Sequence, residues 1–151
     1  MKIACAVLAV LLCCAVAAFA MDDNERVVGH WQGVLTGNAH FGLHYIYVFR
    51  ANHTSFSYET NIADDDDFIN PDWIAVSYFD GDGTVYFASP VNDPVVGKYA
   101  FDDYTDTFVL AVNDPGAPQP TSPYDRSVDF QANMSRLYNV GDCQGCYADP
   151  V

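Results

Sequence analysis

A chain of 151 residues that carries 20 Asp and Glu against 6 Lys and Arg, for a net charge of −14, has room for one domain and no second of useful size. The carboxylate excess excludes nucleic acid and anionic membrane surfaces as partners, because both would be repelled and no basic patch is there to receive them.

The first element is a leader. Lys2 precedes an unbroken apolar run, Ile3 to Ala20, which closes on Ala18-Phe19-Ala20 with small residues at the two positions a signal peptidase reads. This predicts a signal peptide over residues 1–20 and a single mature domain over residues 21–151. An uncleaved anchor is the competing reading, since about 18 apolar residues could just span a bilayer. The small-residue ending and the acidic residues that follow favour cleavage. Cleavage removes Cys5, Cys13 and Cys14 and leaves Cys143 and Cys146. It also removes one of the six basic residues and none of the twenty acidic ones, so the net charge moves from −14 to −15. The expected product is an acidic, secreted, extracellular domain whose mature chain does not insert into a membrane.

No window of eleven or more residues after Ala20 keeps the i, i+3, i+4, i+7 apolar spacing of a helix. Short runs rich in Val, Tyr, Phe and Thr follow one another instead: Val34 to Thr36, Leu43 to Arg50, Ser55 to Thr60, Trp73 to Phe79, Thr84 to Ser89, Val95 to Phe101, Thr107 to Val112 and Ser127 to Ala132. Turn signals separate many of them, among them Ala51-Asn52-His53, Asp80-Gly81-Asp82-Gly83 and Asn113-Asp114-Pro115-Gly116. About eight strands joined in this way predict an all-β, antiparallel up-and-down barrel, which leaves no edge exposed. In "LHYIYVFR" one face carries Leu43, Tyr45, Tyr47 and Phe49 and the other His44, Ile46, Val48 and Arg50. Apolar residues on both faces imply packing or association outside the barrel as well as a lined interior, and a homodimer is compatible with this. Ala63 to Pro71 reads as a rim loop, and the proline-rich Pro115 to Pro123 as a connection crossing the outside before the last strand.

Gly29, His30 and Trp31 form a Gly-x-Trp triplet at the head of this meander, and Asp102-Asp103-Tyr104 stands before a later strand. A β-meander that opens this way resembles the lipocalins and the wider calycin group; the avidin-like barrels also begin with a Gly-x-Trp strand. The resemblance implies that Trp31 plugs the closed end of the barrel and that Gly29 lets the backbone pass close beside it. It further implies an Arg on the last strand covering the Trp, with Arg136 first choice and Arg126 second. No helix pattern follows the last strand, so the domain would be a minimal one.

The remaining motifs have mostly bland readings. "DGDGT", Asp80 to Thr84, has the oxygen-rich look of a calcium loop, but the twelfth position from Asp80 is Val91 rather than the required Glu, and Asp-Gly pairs are favoured hairpin turns. Asp64 to Asp67 is a solvated rim run, with weak cation binding or steering of a cationic ligand as alternatives. Cys143-x-x-Cys146 lacks the βαβ context of a redox site, so a local disulfide is expected, with intermolecular pairing second. Asn52 and Asn133 head glycosylation sequons. His30, His40, His44 and His53 belong to no catalytic motif, and neither a metal site nor a cofactor is expected.

What remains is aromatic content: ten Tyr, ten Phe and two Trp, enough to wall a pocket with apolar surface and a few directional hydroxyls. The expected function is a secreted protein that binds a small apolar or amphipathic ligand inside the barrel. Tyr45, Tyr47, Phe56, Tyr58, Trp73, Tyr86 and Phe108 are the candidate wall. The alternatives are an interaction module with a filled barrel and a small barrel isomerase or cyclase.

Overall fold

The computed structural model describes residues 21–37, 42–60, 73–90 and 93–137. Strands β1 (Gly29–Leu35), β2 (His44–Phe49), β3 (Thr54–Thr60), β4 (Trp73–Phe79), β5 (Thr84–Ala88), β6 (Val95–Asp102), β7 (Thr107–Val112) and β8 (Phe130–Leu137) close into one barrel. Every neighbouring pair is antiparallel, including the seam where β8 returns to β1 with Trp31 opposite Arg136. The barrel is thus an eight-stranded up-and-down meander.

Two strands differ from those expected by more than one residue at an end. β1 starts at Gly29, five residues before the expected Val34, because "GHWQG", with a glycine at each end, is laddered on both sides, to β2 and to β8. β8 runs Phe130–Leu137 and not Ser127 to Ala132. Residues 127–129 stay in the connection, where the Asp125 carboxylate accepts from the Ser127 backbone amide at 3.0 Å. In both strands tertiary pairing overrides local propensity. One turn of helix, α1 (Asp23–Arg26), also forms, too short for any periodic signal. Asp22 caps it by accepting from the Asn24 amide.

Alternation along the strands sends one side chain in two to the interior. Trp31, Leu35, Tyr47, Phe49, Phe79, Phe87, Tyr99, Phe108 and Leu110 form a continuous buried cluster there. β3 and β4 contribute small side chains, Ser55, Ser57, Ala75 and Ser77, and all four are buried. Ser55 donates to the Ala75 carbonyl and Ser77 to that of His53, so these hydroxyls are satisfied inside the wall. Gly33 has a packing reason: a Cβ there would stand 2.6 Å from the Met134 sulfur and 2.7 Å from the Asn133 carbonyl oxygen. Its missing side chain is the space Met134 fills.

α1 is tied across the closed end. The Asn24 side-chain amide donates to the Phe79 carbonyl at 2.8 Å and accepts from the Phe79 amide at 2.9 Å, acting as a short extra rung beside β4. Tyr99 donates its hydroxyl proton to Asp23 and accepts from the Gly81 amide at 3.1 Å. Burial, with the Asp23 carboxylate beside it, pushes the Tyr99 hydroxyl above the ordinary tyrosine range. An acid held protonated in the fold stabilises it fully below its unfolded pKa, near 10, and loses that contribution as pH rises beyond it. Melting temperatures should therefore fall on the alkaline side of pH 10 and fall less steeply in Tyr99→Phe; equal slopes in the two proteins would refute the assignment.

Candidate functional site

The two ends of the barrel differ in chemistry. At the end where β1 begins, Trp31 has no exposed surface and its ring meets Phe108 edge-on at 4.7 Å between centroids. Its indole nitrogen donates to the Val27 carbonyl at 2.7 Å. The Arg136 guanidinium lies 4.1 Å above the Trp31 ring. Its donors are distributed over three acceptors: Nε to Asp106 at 2.9 Å, Nη1 to the Val28 carbonyl at 2.7 Å and Nη2 to the Arg26 carbonyl at 2.6 Å. Arg136 therefore joins β8, the segment after α1 and the β6–β7 turn around one aromatic face. Gly29 makes this geometry accessible twice over. Its φ of 140° suits glycine alone, and a Cβ there would sit 2.6 Å from Arg136 Nη1. A second cation repeats the pattern: Arg26 lies 4.2 Å over Phe101 and pairs with Asp103 at 2.8 Å. In the same turn Asp102 accepts from the Tyr104 amide at 2.8 Å, while the Tyr104 ring is almost wholly exposed.

From this floor an aromatic ladder rises through the interior. Phe108 meets Phe49 at 6.1 Å, Phe49 stacks on Tyr47 at 5.6 Å, Tyr47 meets Phe130 at 5.3 Å, and Phe130 meets Tyr45 at 5.6 Å. Burial changes along it. Trp31, Phe108 and Phe49 are sealed, Tyr47 is 4% exposed, and Tyr45, Phe130 and the adjacent Leu43 are only half-buried. The described interior is thus packed at the floor and reaches solvent at the mouth. The mouth can offer a ligand aromatic and aliphatic surface from Tyr45, Phe130 and Leu43.

The expected wall residues fall into three groups. Tyr45, Tyr47 and Phe108 face the interior, but Phe108 is fully buried against Trp31 and offers no free surface. Phe56 and Tyr86 face outward, contrary to the orientation expected of them. Phe56 sits under Arg50, whose guanidinium is 4.5 Å from its ring, and Tyr86 is exposed beside Tyr78. The cause is register: Ser55 and Ser57 on β3, and Val85 and Phe87 on β5, take the inward positions. The side chains of Tyr58 and Trp73 lie outside the described part of the structure. Phe130 lies in the expected last strand but is absent from the expected wall; the spacing Val128, Phe130, Ala132, with Val128 and Ala132 buried and Phe130 half-buried, is the signal that points to it.

Asn52 and Asn133 are both exposed, on the β2–β3 turn and the outer face of β8. Asp80 closes the β4–β5 turn on itself, accepting from the Asp82 and Thr84 amides at 2.7 and 2.9 Å. Desolvation works against its charge, but those two backbone bonds, the Thr84 side chain and the nearby Lys98 charge together outweigh it and hold the carboxyl below the ordinary range. Among the described residues no three His, Cys, Asp or Glu side chains gather where a metal ion could be held. The leader of residues 1–20, the acidic run Asp64 to Asp67 and the pair Cys143 and Cys146 lie outside the described residues. Compared with known protein families, curated proteins and solved structures, the chain matches none of them.

Proposed function

We propose that the protein is a secreted, lipocalin-like barrel that binds a small apolar or amphipathic molecule at its mouth, against Tyr45, Phe130 and Leu43 with Tyr47 beneath. The gradient along the aromatic ladder carries this reading: the rungs are sealed at the floor and half-buried at the top. A ligand added there extends an existing aromatic stack and covers apolar surface already facing water, which favours binding at about 25 cal/mol per Å² buried. The packed floor restricts the ligand to the mouth, so it is small, on the scale of one or two rings. Secretion rests on the leader read in residues 1–20, and the exposed Asn52 and Asn133 are then the glycan acceptors.

Titration with the neutral fluorophore N-phenyl-1-naphthylamine tests the proposal. Saturable binding is expected, weakened about tenfold, or ~1.4 kcal/mol, in Tyr45→Ala and in Phe130→Ala and unchanged in the outer-face variant Tyr86→Ser. Absence of saturable binding, or equal affinity in folded mouth variants, would rule the mouth out as the site.

A further inference from the structure

One wall of the barrel carries exposed apolar side chains on the outside. The outward side chains of β4 are Ile74, Val76 and Tyr78, exposed by 44%, 54% and 55%, and Tyr86 on β5 is exposed by 46%. They form one surface: Tyr78 stands opposite Tyr86, with ring centroids 6.5 Å apart, Val76 opposite Ala88, and Ile74 opposite Phe56 of β3. The other side of the barrel is treated differently by the chain itself. There the connection after β7 crosses the outer face, so that Ala111 and Gln131 are buried and Gln131 donates to the Pro123 carbonyl at 3.4 Å.

Charge distinguishes this wall further. The chain has 20 acidic residues, yet the described outward positions of β3, β4 and β5 are Thr54, Phe56, Ile74, Val76, Tyr78, Thr84, Tyr86 and Ala88, without one carboxylate. The acids stand in the adjoining turn, at Asp80 and Asp82. Two cations also border the wall, Arg50 over Phe56 and Lys98 donating to Thr84 at 2.9 Å.

We infer that this wall is a homodimer interface, in which two copies pack β4–β5 against β4–β5 about a twofold axis. A basic partner would be drawn to the carboxylates of the turns and not to a neutral sheet face, and an acidic partner would meet cations only at the edge of that face, close to the carboxylates of Asp80 and Asp82. A second copy brings the same neutral face, so no like charges stand opposed at the centre of the contact. The net repulsion between two acidic chains is left to the barrel ends, where salt screens it. A twofold contact is self-complementary, which suits a patch centred on paired tyrosines. The four exposed side chains present on the order of 450 Å², a large patch for a monomer. With Phe56, Thr54, Thr84 and Ala88 at its margin, two such faces bury about 1,200 Å² in total, the low end for a specific complex.

Sedimentation equilibrium of the protein recovered from expression of the full sequence, from about 1 to 200 μM, decides the matter. A monomer–dimer equilibrium that strengthens with added salt is expected. Val76→Glu and Tyr86→Glu, both at solvent-facing positions, should each weaken it at least 100-fold with unchanged circular dichroism. Val34→Glu, on the exposed outer face of β1, should leave it intact. A wild-type protein that stays monomeric throughout, or folded Val76→Glu and Tyr86→Glu proteins that dimerise as before, would overturn the inference. Capture of the monomer by neutral phosphatidylcholine vesicles through this wall would overturn it as well.

Discussion

Replacing Trp31 by Ala is expected to lower the unfolding free energy by about 3–5 kcal/mol, the cost of emptying a fully packed aromatic position. The side chain has no exposed surface, and four neighbours depend on it: Phe108 and Phe101 pack against its ring, Arg136 covers its face, and Val27 receives its indole proton. Alanine removes the ring beneath a guanidinium and leaves the Val27 carbonyl without that donor, so the loss exceeds the transfer term alone. Chemical denaturation measures it directly. A Trp31→Ala protein of wild-type stability would mean that the floor is not what holds the barrel.

Removing Arg136 attacks the same place from the other side. Arg136→Leu keeps apolar bulk over the indole but deletes one ion pair and two bonds to backbone carbonyls. Hydrogen bonds to charged groups contribute roughly 1.5–3 kcal/mol each, and less where water reaches the freed acceptor. Asp106 is partly exposed and recovers water readily, whereas the carbonyls of Val28 and Arg26 face the covered floor. A loss of about 2–4 kcal/mol is therefore expected. Arg136→Lys should recover only part of it, since one ammonium cannot reach three divergent acceptors and cover a ring together. The double variant with Trp31→Ala should cost less than the two single variants combined, because each deletes part of one shared contact. Strict additivity in that cycle would show that the cation and the ring act independently.

The barrel was legible in the sequence because its evidence is repeated along the chain. Short Val-, Tyr- and Phe-rich runs separated by turn residues tolerate errors of several residues at each end, as the shifts in β1 and β8 show. Side-chain direction has no such redundancy. In "SFSYET" any period-two reading gives the interior to Phe56 and Tyr58, yet Ser55 and Ser57 point inward. At that level Tyr47 and Phe49 of the paired strand already occupy the interior, leaving room for hydroxyl-sized neighbours only. Phe56 outside is sheltered by Arg50, a contact between residues on opposite sides of a turn that no alternation rule contains. "TVYFA" inverts Tyr86 in the same way, because Val85 and Phe87 are the better interior fillers and a tyrosine tolerates water. How far the aromatic ladder is sealed depends on packing across the barrel between strands distant in the chain, which one sequence does not display.

The tethering of the floor has a consequence for how such a molecule can vary. Among the described residues, the contacts that seal the closed end come from residues 22–31, the β4–β5 and β6–β7 turns with the strand ends beside them, and the end of β8. The strand ends Leu35 and His44, Thr60 and Trp73, Ala88 and Val95, and Val112 and Phe130, between which the longer connections of the sequence run, lie at the opposite end. Insertions or exchanges in those mouth loops leave the cation-covered plug untouched, and lengthening a surface loop adds only a slowly growing entropic cost. The barrel is in this sense a scaffold with its stability and its variable surface at opposite poles. Libraries built into the mouth loops could therefore alter what the barrel recognises while the anchoring end is inherited unchanged.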